Sequence, residues 1–272
     1  MEHQRARDLT DHFALCATAT ALTEGMCGLP AVATLDWCDQ AAQCLLTIGR
    51  SVMTSVSIAT ISEDGRILNH EATGVATNVE REQPRLTALR VKIERLTTLG
   101  QGALGTREPF ASPESPLARL WQEFGASDLI ISSESLGRSE QGRRLFVQVA
   151  MLDGHRVTDM HRALMGAAMP RLVDRALMAI GPTRTTAGRW LTERERQILE
   201  RLTLGMSVRE IAEELGRSPH TVHDHVKSLH RKLDASSRGE LIARALGHLR
   251  LYEKNDRIVD PKPLRTMETA DR

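Results

Sequence analysis

His223, Asp224, Lys227 and Arg231 recur at three- and four-residue spacing, so a helix through them shows all four on one face. Val222, Val226, Leu229 and Leu233 fall on the opposite face and supply a side to bury. The polar row can donate and accept hydrogen bonds: lysine and arginine donate, a carboxylate accepts, and an imidazole can do either. A helix presenting such a row suits the major groove of DNA, whose base edges carry a readable pattern of donors and acceptors. The same pattern also fits a small helical bundle with a solvated charged face.

The neighbouring residues supply the frame. Thr192 and Glu195 form T-x-x-E, a capping box that predicts a helix start, and Ile198, Leu199 and Leu202 give that helix an apolar face. Gly205 suits its end. Ser207 and Glu210 repeat the device, with Ile211, Ala212 and Leu215 as the buried side and Gly216 as the stop. Ser218-Pro219 then places an N-cap before a proline at the first helical position, predicting a third helix from about 219 to 233. Ser237 and Glu240 give a third capping box, opening a last helix with Leu241, Ile242, Ala245 and Leu249. Two helices joined by a tight turn, the second exposing basic residues, read as a helix-turn-helix.

This stretch resembles the C-terminal DNA-binding domain of LuxR/NarL (GerE-type) bacterial transcription factors. The matching residues are LTERERQIL at 191–199, Gly205, SVREIAEELG at 207–216, S-x-x-TV-x-x-HV at 218–226, RKL at 231–233 and SR-x-E at 237–240. The resemblance implies an all-α, four-helix domain that binds double-stranded DNA as a homodimer. It places base reading on His223, Asp224 and Lys227, and phosphate contacts on Ser207, Arg209, Thr221, Arg231 and Lys232. Lys227 can donate to guanine O6 or N7, and Asp224, an unusual residue there, can accept from a cytosine amino group. Asp234 stands where relatives often have glycine. A helix-turn-helix that works mainly through RNA polymerase or another protein is the alternative, and DNA binding separates the two.

Composition sets bounds. With 36 basic and 35 acidic residues the chain is near neutral, so affinity for nucleic acid must come from a local basic surface. No run reads as a membrane span, since Phe13–Leu35 is broken by Glu24, two glycines and Pro30. The mixed-charge start is unlike a signal peptide, so a cytoplasmic protein with no membrane partner is expected. Cys16, Cys27, Cys38 and Cys44 make no zinc spacing and are expected as reduced, mostly buried thiols. His220, His223, His225 and His230 do not gather on one helix face, and no metal is expected. Without a nucleophile–base pair, a phosphate loop or a metal motif, the chain is not expected to be an enzyme.

Residues 1–180 form a second unit. Helices are expected over 8–27 and 35–48, then a hairpin of two β-rich runs about Asp64-Gly65, and a helix at about 84–99. After the Gly/Pro/Ser-rich loop 100–116 come a helix (PLARLWQEFG), two further strands and a long helix from about 156 to 180, interrupted by Pro170. Its expected apolar face is Val157, Met160, Leu164, Ala168, Leu172 and Met178. The order predicts an α+β domain with an antiparallel sheet. By layout it looks like a GAF- or PAS-like sensory or dimerising domain, with a small-molecule ligand as an open question. Strands begin too late for a phosphoacceptor receiver domain. The scarcity of aromatics argues against an acyl-homoserine-lactone pocket, flavin or haem, so no cofactor is expected. Residues 181–190 read as a linker, 191–250 as the DNA-binding domain and 251–272 as a disordered tail.

Overall fold

The computed structural model describes residues 2–98, 115–137, 142–180 and 190–248, with side chains from residue 13 onward. The expected linker 181–190, apart from Trp190, the tail, Leu249 and most of the loop 100–116 lie outside the described residues.

Helix α1 (Glu2–Cys27) leads to α2 (Trp37–Cys44), which a short 3₁₀ turn continues to Ile48. Strands β1 (Val52–Ile61) and β2 (Ile67–Thr77) form the expected hairpin, with Gly65 in the left-handed region at its turn. Helix α3 (Leu86–Glu94) is shorter than the pattern suggested, because a 3₁₀ turn holding Pro84 occupies residues 80–85. Helix α4 (Pro116–Glu123) precedes β3 (Asp128–Ser135) and β4 (Gly142–Met151). The four strands form one antiparallel sheet ordered β2-β1-β4-β3, so the two hairpins join through β1 and β4.

Alternation along β1 explains the layers. Val52, Val56 and Ile58 face one core, built with Leu22, Trp37, Ala41 and the long helix α5 (Asp159–Ile180). Met53, Ala59 and Ile61 face the other, closed by Leu89 and Ile93 of α3 and by Leu117, Leu120 and Trp121 of α4. Pro170 does not break α5, which is helical from Asp159 to Ile180. Buried side chains before and after the proline (Leu164, Met165, Ala168, Leu172, Ala176) hold both halves on the sheet. Met160, expected inward, is exposed, because it lies in the first turn, outside that buried stripe. Two of the four cysteines also depart from expectation: Cys16 and Cys27 are exposed on α1, whereas burial beside Asp39 pushes the Cys38 thiol far up.

Four helices follow: α6 (Glu193–Thr203), α7 (Val208–Glu214), α8 (Pro219–Lys232) and α9 (Arg238–Ala245). They share a core of Ile198, Leu199, Leu202, Ile211, Val222, Leu229, Leu233 and Leu241. This core is not separate from the upstream region. Leu191 pairs with Thr34 in a parallel bridge, its N–H donating to the Ala33 carbonyl at 2.6 Å and its carbonyl accepting from Leu35. Val32 enters the helical core, and Trp190 packs against the sheet's core.

Candidate nucleic-acid interface

Local chemistry fixes α8. The Ser218 hydroxyl accepts from the Thr221 N–H at 3.1 Å, and Pro219 opens the helix. The boxes at Thr192/Glu195 and Ser207/Glu210 are both reciprocal. The third differs: Ser237 caps the Glu240 N–H, but the Glu240 carboxylate turns to the N–H and hydroxyl of Ser236, each at 2.7 Å. Val222 and Leu229 are buried against α6 and α7, which turns the other face of α8 outward.

His220, His223, Asp224, Lys227 and Arg231 lie along that outward face, and all are exposed. Asp224 sits between two side chains of its own helix, 3.6 Å from His220 Nε2 and 3.7 Å from Lys227 Nζ. A carboxylate there neutralises part of the ridge and presents an acceptor beside a donor. Ser207, Arg209 and Thr221 are exposed around the helix starts. Arg209 makes no hydrogen bond or ion pair to the described residues, whereas Arg231 reaches Ser228 Oγ at 3.3 Å. Arg217, in the turn before α8, is also exposed. It is not among the contacts expected from the sequence, where its signal is a basic residue in the tight turn.

Lys232 departs from the phosphate expectation. Its ammonium points inward, 2.7 Å from Glu195 Oε2 and 2.8 Å from the Trp190 carbonyl, with the side chain 13% exposed. Burial alone would raise the Glu195 carboxyl, but hydrogen bonds from Lys232, the Thr192 N–H and Ser228 outweigh it and hold the group below its ordinary value. His230 is likewise committed, its Nδ1 being 2.8 Å from the Ala235 carbonyl. Among the described residues, no three His, Cys, Asp or Glu side chains are grouped to hold a metal.

Asp234 answers the missing glycine. Its φ is 51°, so it occupies the left-handed position that ends α8, where the Ala235 N–H returns to the His230 carbonyl at 2.9 Å. Arg244 Nη1 holds the Asp234 carbonyl at 2.5 Å. Aspartate tolerates this conformation better than most residues, yet glycine fits it without steric cost. Asp234→Gly is therefore expected to raise stability by about 0.5–1 kcal/mol, read from the urea midpoint. A lower midpoint would mean that the Asp234 carboxylate, 4.0 Å from Arg244, contributes more than the strain costs.

With this geometry, residues 189–245 match the model of the family "Bacterial regulatory proteins, luxR family". Those residues are a luxR-type helix-turn-helix domain. The transcriptional regulatory protein UhpA of Escherichia coli (strain K12) is 56% identical over 54 residues, covering 20% of this chain and 28% of that protein. The probable HTH-type transcriptional regulator GfsR of Streptomyces halstedii is 41% identical over 58 residues, covering 21% and 24%. The match therefore spans less than a third of these relatives, both named as transcriptional regulators. A crystal structure of Escherichia coli SdiA aligns over 72% of this chain and 82% of its own, at 16% identity and a TM-score of 0.29, too loosely to carry an argument about the sheet domain. No helix among the described residues is long and apolar enough to cross a membrane.

Proposed function

We propose that this protein is a sequence-specific transcriptional regulator whose α8 enters the major groove. The exposed ridge His223–Asp224–Lys227, on a helix capped at its start and buried on its other side, carries the reading. Lys227 donates to guanine, Asp224 accepts from a cytosine amino group, and His223 does either. Ser207, Arg209, Thr221 and Arg231 hold phosphates, with Arg217 added. Thr221 lies in the first turn of α8, where the helix dipole favours an anion. Two copies would set two such helices in successive major grooves of a near-palindromic site. The upstream region is read as a GAF- or PAS-like sensory or dimerising domain, coupled to the helix-turn-helix through residues 32–35 against Leu191. That bridge supports the coupling because it joins the two cores by hydrogen bonds and by Val32.

Selection of bound sequences from random DNA with full-length protein, at two salt concentrations, tests the reading. A near-palindrome should be enriched for the wild type. Lys227→Ala should relax preference at one base pair of each half-site by about 1–3 kcal/mol while keeping the rest. Salt-sensitive binding without any enriched sequence, or an unchanged preference in the variant, would refute base reading by α8.

A further inference from the structure

We propose that the face of the sheet beneath α3 and α4 is a binding site for a small amphipathic organic acid, a carboxylate with further hydroxyl or keto oxygens on an apolar body. The inference goes beyond DNA recognition and its readout uses no DNA.

The observation is a concentration of unmade hydrogen bonds. Eight buried side-chain polar atoms of the described residues lack any partner, and five lie on this one face: the Ser55 and Ser57 hydroxyls, the Thr73 hydroxyl, His70 Nδ1 and Arg144 Nε. Register puts them together. Ser57 is paired with Thr73 on β2 and with Phe146 on β4, Ser55 lies one same-face row along, and Ala59 lies one row the other way, between His70 and Arg144. Three rows across three strands make a patch of about 13 Å by about 10 Å, the size of a small metabolite.

Such a strip is out of place in an ordinary core. The opposite face of β1 carries Val52, Val56 and Ile58, and its buried hydroxyl, Thr54, donates to the Ala42 carbonyl at 2.8 Å. Ser55, Ser57 and Thr73 are each less than 8% exposed, and Leu89, Leu117 and Trp121 lie among the apolar residues packed on this side. Each unsatisfied buried group costs stability, so a row of them is kept where something else completes the bonds.

Arg144 sets the sign of the ligand. It is 9% exposed, and its guanidinium reaches only the Ser133 carbonyl and hydroxyl, at 3.3 and 3.2 Å. No carboxylate pairs with it among the described residues. A buried cation without a counter-charge selects an anion, and a planar guanidinium matches a carboxylate. The hydroxyls then take the remaining polar atoms. Gln148 is already engaged, its Oε1 accepting from Trp121 Nε1 at 2.6 Å, which fixes the indole over the strip as an apolar wall.

The test is calorimetric titration of full-length protein with phenyllactate, phenylpyruvate and 3-hydroxyoctanoate, each beside its neutral amide. Saturable binding of at least one acid, with its amide much weaker, is expected. Arg144→Met should weaken that binding about tenfold or more. Because this variant can fail to fold, Ser57→Ala and Thr73→Val provide the second arm. Each should weaken the acid several-fold and raise the thermal midpoint of the ligand-free protein, since each removes an orphaned hydroxyl with little change in shape. No saturable binding by any of the three acids at millimolar concentration overturns the proposal. So do equal affinities for acid and amide, or lower thermal midpoints in both hydroxyl variants.

Discussion

Lys232→Ala is expected to lower unfolding stability by about 3 kcal/mol, before any DNA is added. Lys232 and Glu195 are 13% and 5% exposed, and the lysine also holds the Trp190 carbonyl beside the bridge to the upstream region. Truncation leaves the Glu195 carboxylate buried with only Thr192 and Ser228 as partners. A lone buried charge costs far more than the pair's net worth. A urea titration of wild type and variant reads the difference directly. A variant with unchanged midpoint and uniformly weaker DNA binding would restore Lys232 to the phosphate contacts.

The same pair sets an acid limit. The Glu195 carboxyl is held below its ordinary value of 4.5 in the folded protein. A depressed carboxyl contributes stability above its unfolded value, and the contribution is lost as pH falls through the folded one. The gap between wild type and Glu195→Gln should therefore be full at neutral pH and close as pH falls past 4.5 and through the depressed folded value.

The second large effect lies in the sheet domain. Gly74→Ala is expected to cost about 3 kcal/mol or more. A β-carbon at Gly74 would stand 2.0 Å from the Cys38 carbonyl carbon and 2.1 Å from the Asp39 nitrogen. Both obstacles are backbone of α2, so no side chain can swing aside, and α2 itself must leave the sheet. The shift would pull Cys38, Ala41 and Ala42 from the core and stretch the 3.1 Å bond from the Val75 N–H to Asp39. Since α2 begins immediately after the segment bridged to Leu191, the helix-turn-helix should also lose its upstream contact. Gly166→Ala is the control, because nothing lies within 4 Å of its added β-carbon. Urea melts should show a lost or much earlier transition for Gly74→Ala and little change for Gly166→Ala. A near-native Gly74→Ala midpoint would mean that α2 can slide outward cheaply.

The contrast between the two regions is physical. Helix starts at Thr192, Ser207 and Ser218 were legible because a cap joins residues three apart, and so were the outward positions of His223, Asp224 and Lys227, which helical period fixes once Val222 and Leu229 are buried. The hairpins were legible from alternation and from Asp64-Gly65. Pro170 misled because tertiary burial on both sides of it outweighs a local breaker.

By itself, then, the sequence determined the elements, the antiparallel sheet and the helix that faces outward, all of which rest on interactions between near neighbours or on simple period. Only the tertiary structure decided that Lys232 turns inward to Glu195, 37 residues away in sequence, that Val32 enters the helical core, and that Ser55, Ser57, Thr73 and Arg144 share one buried face. Those placements depend on strand register and on which elements pack together, and no local spacing encodes either.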